Sequence, residues 1–108
     1  PMARPKDRED KKYPVTLTKA ASAQLKKALA RERAPDGGVR ILLIEAGNGY
    51  RYDMQIEKKS SEGDHVSTQG GVKVFVDRFA AQHLNGTQLD FIDAPNGTGF
   101  LFHRPEST

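Results

Sequence analysis

The sequence predicts an α+β domain of about seven short strands and two helices. Three observations point there. Most of its apolar runs alternate with period two and are cut by glycine, proline and asparagine turns. One stretch, from Thr18 to Arg33, instead carries apolar residues at helical spacing. A second helical stretch, seven residues long, falls between two strand signals late in the chain. At 108 residues the chain is long enough for one domain with a modest core and too short for two.

Residues 1–13 are polar and charged, lie around Pro5 and end before Pro14; they read as a disordered arm, with the folded domain over 14–105 and a short tail over 106–108. Pro1 ahead of Met2 reads as the remnant of a tag. Val15-Thr16-Leu17-Thr18 is a short strand signal that runs straight into a helix, with the Thr18 hydroxyl as its cap. Ala21, Leu25, Ala28 and Leu29 form the apolar stripe of that helix. Lys26, Lys27, Arg31 and Arg33 crowd its C-terminal half, where they suit the helix dipole and read as a solvated face, with partner docking as the alternative. Pro35-Asp36-Gly37-Gly38 ends it.

From Val39 to Glu45 the run is β-branched and apolar, a buried strand. Ala46-Gly47-Asn48-Gly49 turns, and Tyr50 to Ile56 alternates strictly, which puts Tyr50, Tyr52, Met54 and Ile56 on one face of the second arm of a hairpin. Lys58 to Asp64 is a polar loop. His65 to Thr68 is a short edge strand, Gly70-Gly71 a turn, and Val72 to Val76 a further strand. Asp77 caps a helix over Arg78–Leu84 that Asn85-Gly86 stops. Thr87 to Ile92 is a strand with Leu89 and Phe91 on one face; Ala94-Pro95-Asn96-Gly97 turns into the last strand, Gly99 to Phe102.

Composition narrows the function classes. Seventeen Lys and Arg against 14 Asp and Glu give a net charge of +3. Residues 1–12 hold five of the cations and three of the acids, so the folded part is nearly neutral, which argues against nucleic-acid binding. No apolar run approaches the ~20 residues of a membrane span, and cytoplasmic residence is the default expectation. The absence of cysteine excludes disulfides, zinc knuckles and thiol catalysis within these residues. No nucleophile elbow with a Ser/His/Asp order is present, and the glycine turn after Glu45 leads into a strand rather than a helix, which removes a phosphate cradle. No catalytic residue is expected.

Gly71-Val72-Lys73-Val74-Phe75-Val76-Asp77, followed by a short helix and Leu84-Asn85-Gly86-Thr87-Gln88-Leu89-Asp90-Phe91, resembles the "GVKVVVD … LDGTEIDYV" stretch of the HesB-like A-type iron–sulfur cluster carrier (IscA/SufA-like) family. Gly97-Thr98-Gly99-Phe100-Leu101-Phe102 resembles that family's "GSGFVF", and Val15 to Thr18 its opening "ITLT". The resemblance covers about residues 15–105 and implies a compact β-sandwich-like fold and a carrier, not an enzyme, of the iron–sulfur assembly system. It also implies an oligomer with the cluster site between subunits; the strand faces of Val74, Val76, Leu89 and Phe91 are the expected remnant of that interface.

The departures are as informative. The family's first cysteine lies in a "GGCSGF-x-Y" turn; the corresponding run is Glu45 to Tyr52, with Gly47 at the cysteine position. The family's "CGCG" tail has no counterpart in His103-Arg104-Pro105-Glu106-Ser107-Thr108. Clusters are held by thiolates, and glycine offers no ligand. The expectation is therefore a cysteine-free homologue with no cofactor of its own that acts by binding a protein partner or a second copy of itself. Two alternatives stand beside it. Tyr50, Tyr52 and His103 could offer nitrogen and oxygen ligands to a mononuclear metal ion such as iron, against the plainer reading that the tyrosines pack on the sheet and His103 is solvated. The glycine turn could instead form a small-ligand pocket. His83 reads as bordering the core beside Phe79, His65 as exposed, and Asp53, Glu57, Asp90 and Asp93 as a solvent-facing set.

Overall fold

The computed structural model describes residues 13–104; residues 1–12 of the arm expected over 1–13 and the last four residues of the chain lie outside them. The elements follow in the order β1 (Val15–Leu17), α1 (Lys19–Arg31), β2 (Gly38–Ala46), β3 (Gly49–Glu57), β4 (His65–Gln69), β5 (Val72–Val76), α2 (Arg78–Leu84), β6 (Thr87–Ala94) and β7 (Gly97–His103). Seven strands and two helices match the α+β class and the element count read from the sequence. The strands make two mixed sheets, a three-stranded one in the order β1-β6-β7 and a four-stranded one in the order β3-β2-β5-β4.

Each element forms for a local reason. Thr18 caps α1, its Oγ1 accepting from the Ala21 N–H at 3.1 Å. The helix stops at Arg31, earlier than the proline and glycines downstream suggested. Ala34 donates to Leu29 O and Arg33 to Ala30 O, the paired bonds of a Schellman ending, and Arg33 takes the left-handed conformation (φ 59°) that glycine usually fills. Asp77 caps α2 through Oδ1 to the Ala80 N–H at 2.7 Å. The two hairpins are longer than expected: their connections shrink to Gly47-Asn48 between β2 and β3 and to Pro95-Asn96 between β6 and β7.

The core fills the space between the sheets. Val39, Ile41, Val74 and Val76 face in from one sheet, Val15 and Leu89 from the other, with Ala21, Leu25 and Leu29 of α1 and Ala80 and Leu84 of α2 closing the sides. Full burial of one such leucine contributes about 2 kcal/mol. Val74, Val76 and Leu89 are thus core residues, which overturns their reading as an interface between subunits; Phe91, partly buried, packs on the same core and edge-on against Phe100, 5.0 Å between centroids. The β4–β5 turn lies on α1: a side chain at Gly70 (φ 57°) would put its Cβ 2.6 Å from Ser22 Oγ, so only glycine fits the approach.

Two polar devices tie the layers. Gln69 links the sheets where backbone pairing stops: its Oε1 accepts from Leu17 N at 2.8 Å and its Nε2 donates to Val15 O at 2.9 Å. On the outer side of β2, the buried Arg40 guanidinium donates to Glu57 Oε1 at 2.7 Å and to both Asp64 carboxylate oxygens, at 2.9 and 2.6 Å, and reaches Ser61 Oγ. That fork closes the polar loop over β2 and β3. Glu57 is therefore a structural ligand of Arg40 rather than part of a free carboxylate face. His65 is half-buried rather than exposed; it meets the Tyr13 ring edge-on at 6.4 Å, and its Nδ1 has no hydrogen-bond partner among the described residues.

Hydrogen bonds from Arg40 hold the Asp64 and Glu57 carboxyls below the usual carboxylate range. The stability they give is complete above the unfolded values near pH 4 and is lost as pH falls through the depressed folded values. Asp64→Asn should cost about 2 kcal/mol at pH 7, since it leaves the buried Arg40 guanidinium with Glu57 as its one charged partner, and should flatten the loss of stability below about pH 4; urea melts across pH 2–7 measure both. Thr87 is buried and its Oγ1 has no partner among the described residues. Thr87→Val should therefore leave stability unchanged or raise it by about 1 kcal/mol in the same melts.

Candidate functional site

The β2–β3 hairpin, α2 and the end of β7 meet at one end of the sandwich, and the sequence-singled residues gather there unevenly. Gly47 sits at the hairpin tip with φ 59°, the positive value that a two-residue turn starting with glycine uses to match strand twist. No atom lies within 4 Å of where its Cβ would be, so space does not select glycine at this position. Register pairs Glu45 with Tyr50 and Leu43 with Tyr52, placing those side chains on one face.

Tyr50 and Tyr52 lead different lives on that face. Tyr52 leans on Phe102 across the gap between the sheets, 5.1 Å between centroids. Tyr50 joins a cluster on α2: its ring is 6.1 Å from Phe79 and 5.5 Å from His83, which are 4.5 Å from each other. The sequence missed this role of His83, read as a core-border residue. In fact it is exposed, its Nδ1–H donating to Phe79 O at 3.0 Å. Half of Tyr50 and half of Phe79 are open to solvent, 49% and 51%. Arg104 anchors the chain end to the same place through Nη2 to His83 O at 2.8 Å. The spacing signals only that Phe79 and His83, four apart, share a face of α2; it does not say which element covers that face.

His103 does not join the tyrosines. It follows Phe102 in β7, so the two side chains leave opposite faces. Phe102 turns in toward Tyr52, while His103 lies on the outer face with its Nε2–H donating to Gln88 Oε1 at 2.8 Å. Also on the outer face, Asp90 Oδ1 accepts from the Thr18 hydroxyl at 2.7 Å and from the Phe91 N–H, and these bonds hold its carboxyl below the usual range. Asp53 and Asp93 bond only to neighbours in their own hairpins: Asp53 accepts from Met54 N, and Asp93 from the Thr98 hydroxyl. Among the described residues no group of three or more His, Cys, Asp or Glu is placed to hold a metal ion. A polar hollow at the hairpin tip, lined by Glu45, Gly47, Asn48, Gly49 and Tyr50, holds about 210 Å³, yet it is shallow and open.

Two mixed sheets with two helices closing the sides, and with the hairpin tip, second helix and last strand meeting at one end, make an α+β domain of the IscA-like fold class. The chain belongs to the iron–sulphur cluster biosynthesis family, which it matches over residues 13–107. It is 40% identical over 95 residues to a protein of Bradyrhizobium diazoefficiens, 86% of this chain and 89% of that relative. Its structure is similar to that of IscA with the [2Fe-2S] cluster (TM-score 0.73, 26% identity, 84% of this chain and 85% of the other). It is equally similar to Escherichia coli SufA, involved in biosynthesis of iron–sulfur clusters (TM-score 0.73, 27% identity, 87% and 82%).

The residues present do not fit a cluster held in the family's manner. Thiolate sulfur is the donor that such clusters need, and the 108 residues contain no cysteine. No helix among the described residues is long and apolar enough to cross a membrane.

Because Gly47 has open space but a positive φ, Gly47→Cys should fold normally at a cost of about 1 kcal/mol from the left-handed backbone. Its thiol should react completely with Ellman's reagent at the rate of a free thiol. Slow or partial reaction would show a tip more enclosed than described.

Proposed function

We propose that this chain is a non-catalytic, cysteine-free homologue of the A-type carriers that acts by binding a protein partner, or a second copy of itself, within iron–sulfur assembly or iron handling. One observation supports the reading: the chain keeps the family's scaffold while its 108 residues contain no cysteine, and exposed aromatic rings stand at the hairpin end. Aromatic side chains that are half-exposed and already packed on one another lose little conformational freedom when covered, which suits them as anchors for a partner.

The other chemistries fit less well. An iron–sulfur cluster as cargo would need sulfur from the partner. A mononuclear metal ion held by Tyr50, Tyr52 and His103 would need His103 to leave Gln88 and cross the sheet. Cytoplasmic residence belongs to the same reading.

Anaerobic incubation with ferrous iron and sulfide, followed by desalting, absorbance and iron and sulfide analysis, should leave no stoichiometric chromophore. A pull-down from the source cells should enrich iron–sulfur assembly proteins, and Tyr50→Ala with Phe79→Ala should reduce that enrichment at least fivefold while the circular dichroism spectrum is kept. A tightly held stoichiometric cluster on the protein alone, or a pull-down without any assembly protein, overturns the reading.

A further inference from the structure

The two sheets leave their free edges on the same side of the molecule. β3 ends the four-stranded sheet and β7 ends the three-stranded one. Between them lies an apolar cavity of about 110 Å³, half open to solvent and walled by Leu25, Ala28, Val39, Met54, Ile56 and Phe100. A hollow with such walls does not hold water well and favours an apolar group of its own size.

The two edges are not equivalent. In β3 the outward N–H of Met54 is already taken by the neighbouring carboxylate, Asp53 Oδ1, at 2.8 Å. The β7 edge has no such block. Ala94 and Gly97 close a two-residue connection and must form a hydrogen-bonded pair; alternation then turns the backbone of Gly99 and Leu101 toward β6, and that of Thr98, Phe100 and Phe102 away from it. Those outward groups find no backbone partner among the described residues. Phe100 therefore does two things: its ring lines the cavity while its N–H and C=O face the open edge.

Charge completes the picture. Along α1, Gln24, Lys27 and Arg31 lie on the flank of Ala28 that faces away from Leu25 and Leu29. Lys27 and Arg31 are exposed and form no ion pair among the described residues. The cationic lip suits carboxylates and disfavours the chain's own first twelve residues, which hold five cations against three acids.

We infer that β7 is the docking edge for an extended segment of a partner protein, which adds to the β1-β6-β7 sheet as a fourth strand, seats one apolar side chain in the Phe100 cavity and sets acidic residues against Lys27 and Arg31. Main-chain bonds along the edge supply affinity, and the cavity and the lip supply selection. This rests on the partner-binding reading and deepens it by naming a second contact surface, on the side of the sandwich in addition to the aromatic end, and the chemistry of what it takes.

The test uses blocked seven-residue peptides of alternating Thr and Glu with a central Ala, Val, Leu, Met or Phe, titrated into the 108-residue protein labelled with ¹⁵N. Defined peptides make the result independent of whether the cellular partner belongs to iron–sulfur assembly. The expected result is saturable binding of at least one large apolar peptide, with shifts centred on 97–103, Met54, Ile56 and 24–31. Replacing the central residue by Ala should weaken it roughly tenfold or more. Lys for Glu in the peptide, or Lys27→Glu with Arg31→Glu in the protein, should weaken it by a similar factor, and N-methylation of the edge-facing peptide amides should abolish it. Thr98→Pro removes one outward N–H at a position where an edge strand tolerates proline, and should weaken binding while the circular dichroism spectrum and the cooperative thermal transition are kept. No saturable binding of any peptide up to millimolar concentration, or binding indifferent to N-methylation and to the central residue, overturns the inference.

Discussion

The parallel pairing of β2 with β5, Gly38 to Ile41 against Lys73 to Val76, is the constraint on which the rest of the molecule depends. Parallel neighbours cannot be joined by a tight turn, so the chain must leave β2, build β3 and β4, and return. That return brings the β2–β3 hairpin and the start of α2 to the same end of the sheet, and Tyr50 meets Phe79 and His83 only because of it. The same register sets Arg40 opposite Phe75, with the guanidinium 5.8 Å over the ring, and aims it at the loop that Asp64 closes.

What the chain conveys about itself depends on how far apart the interacting residues lie. Caps at Thr18 and Asp77, the hairpin around Gly47 and the face shared by Tyr50 to Ile56 are local matters of spacing, and the structure repeats them. The early stop of α1 was obscured because Arg33 takes a backbone conformation that its side chain does not advertise. The assignment of Val74, Val76 and Leu89 to an interface failed for a different reason: periodicity reports that one face of a strand is apolar, and cannot say whether a second sheet or a second molecule covers it. His65 was misjudged on the same ground, since β4 is an edge strand whose inward face is covered by sheet contacts that no local pattern reveals.

The site divides along the same line. The lack of thiols was legible from residue identity, because a cysteine is either in the chain or not. Convergence was not legible. His103 and Tyr52 look like neighbours once the family's layout is known, yet one residue of pleat separates His103 from Phe102 and sends it to the other face. His83, by contrast, reaches Tyr50 through the packing of a helix on a hairpin, and nothing within seven residues of helix fixes that angle.

β1 has only three residues, and its partners lie far along the chain: Thr18 reaches Asp90 across 72 positions and Leu17 reaches Gln69 across 52. Closing such loops is entropically costly until most of the fold exists, so β1 is among the last strands to find its place. Until then the β6 edge stands open, and the folding domain carries an unsatisfied ladder for as long as the β6–β7 hairpin waits for β1.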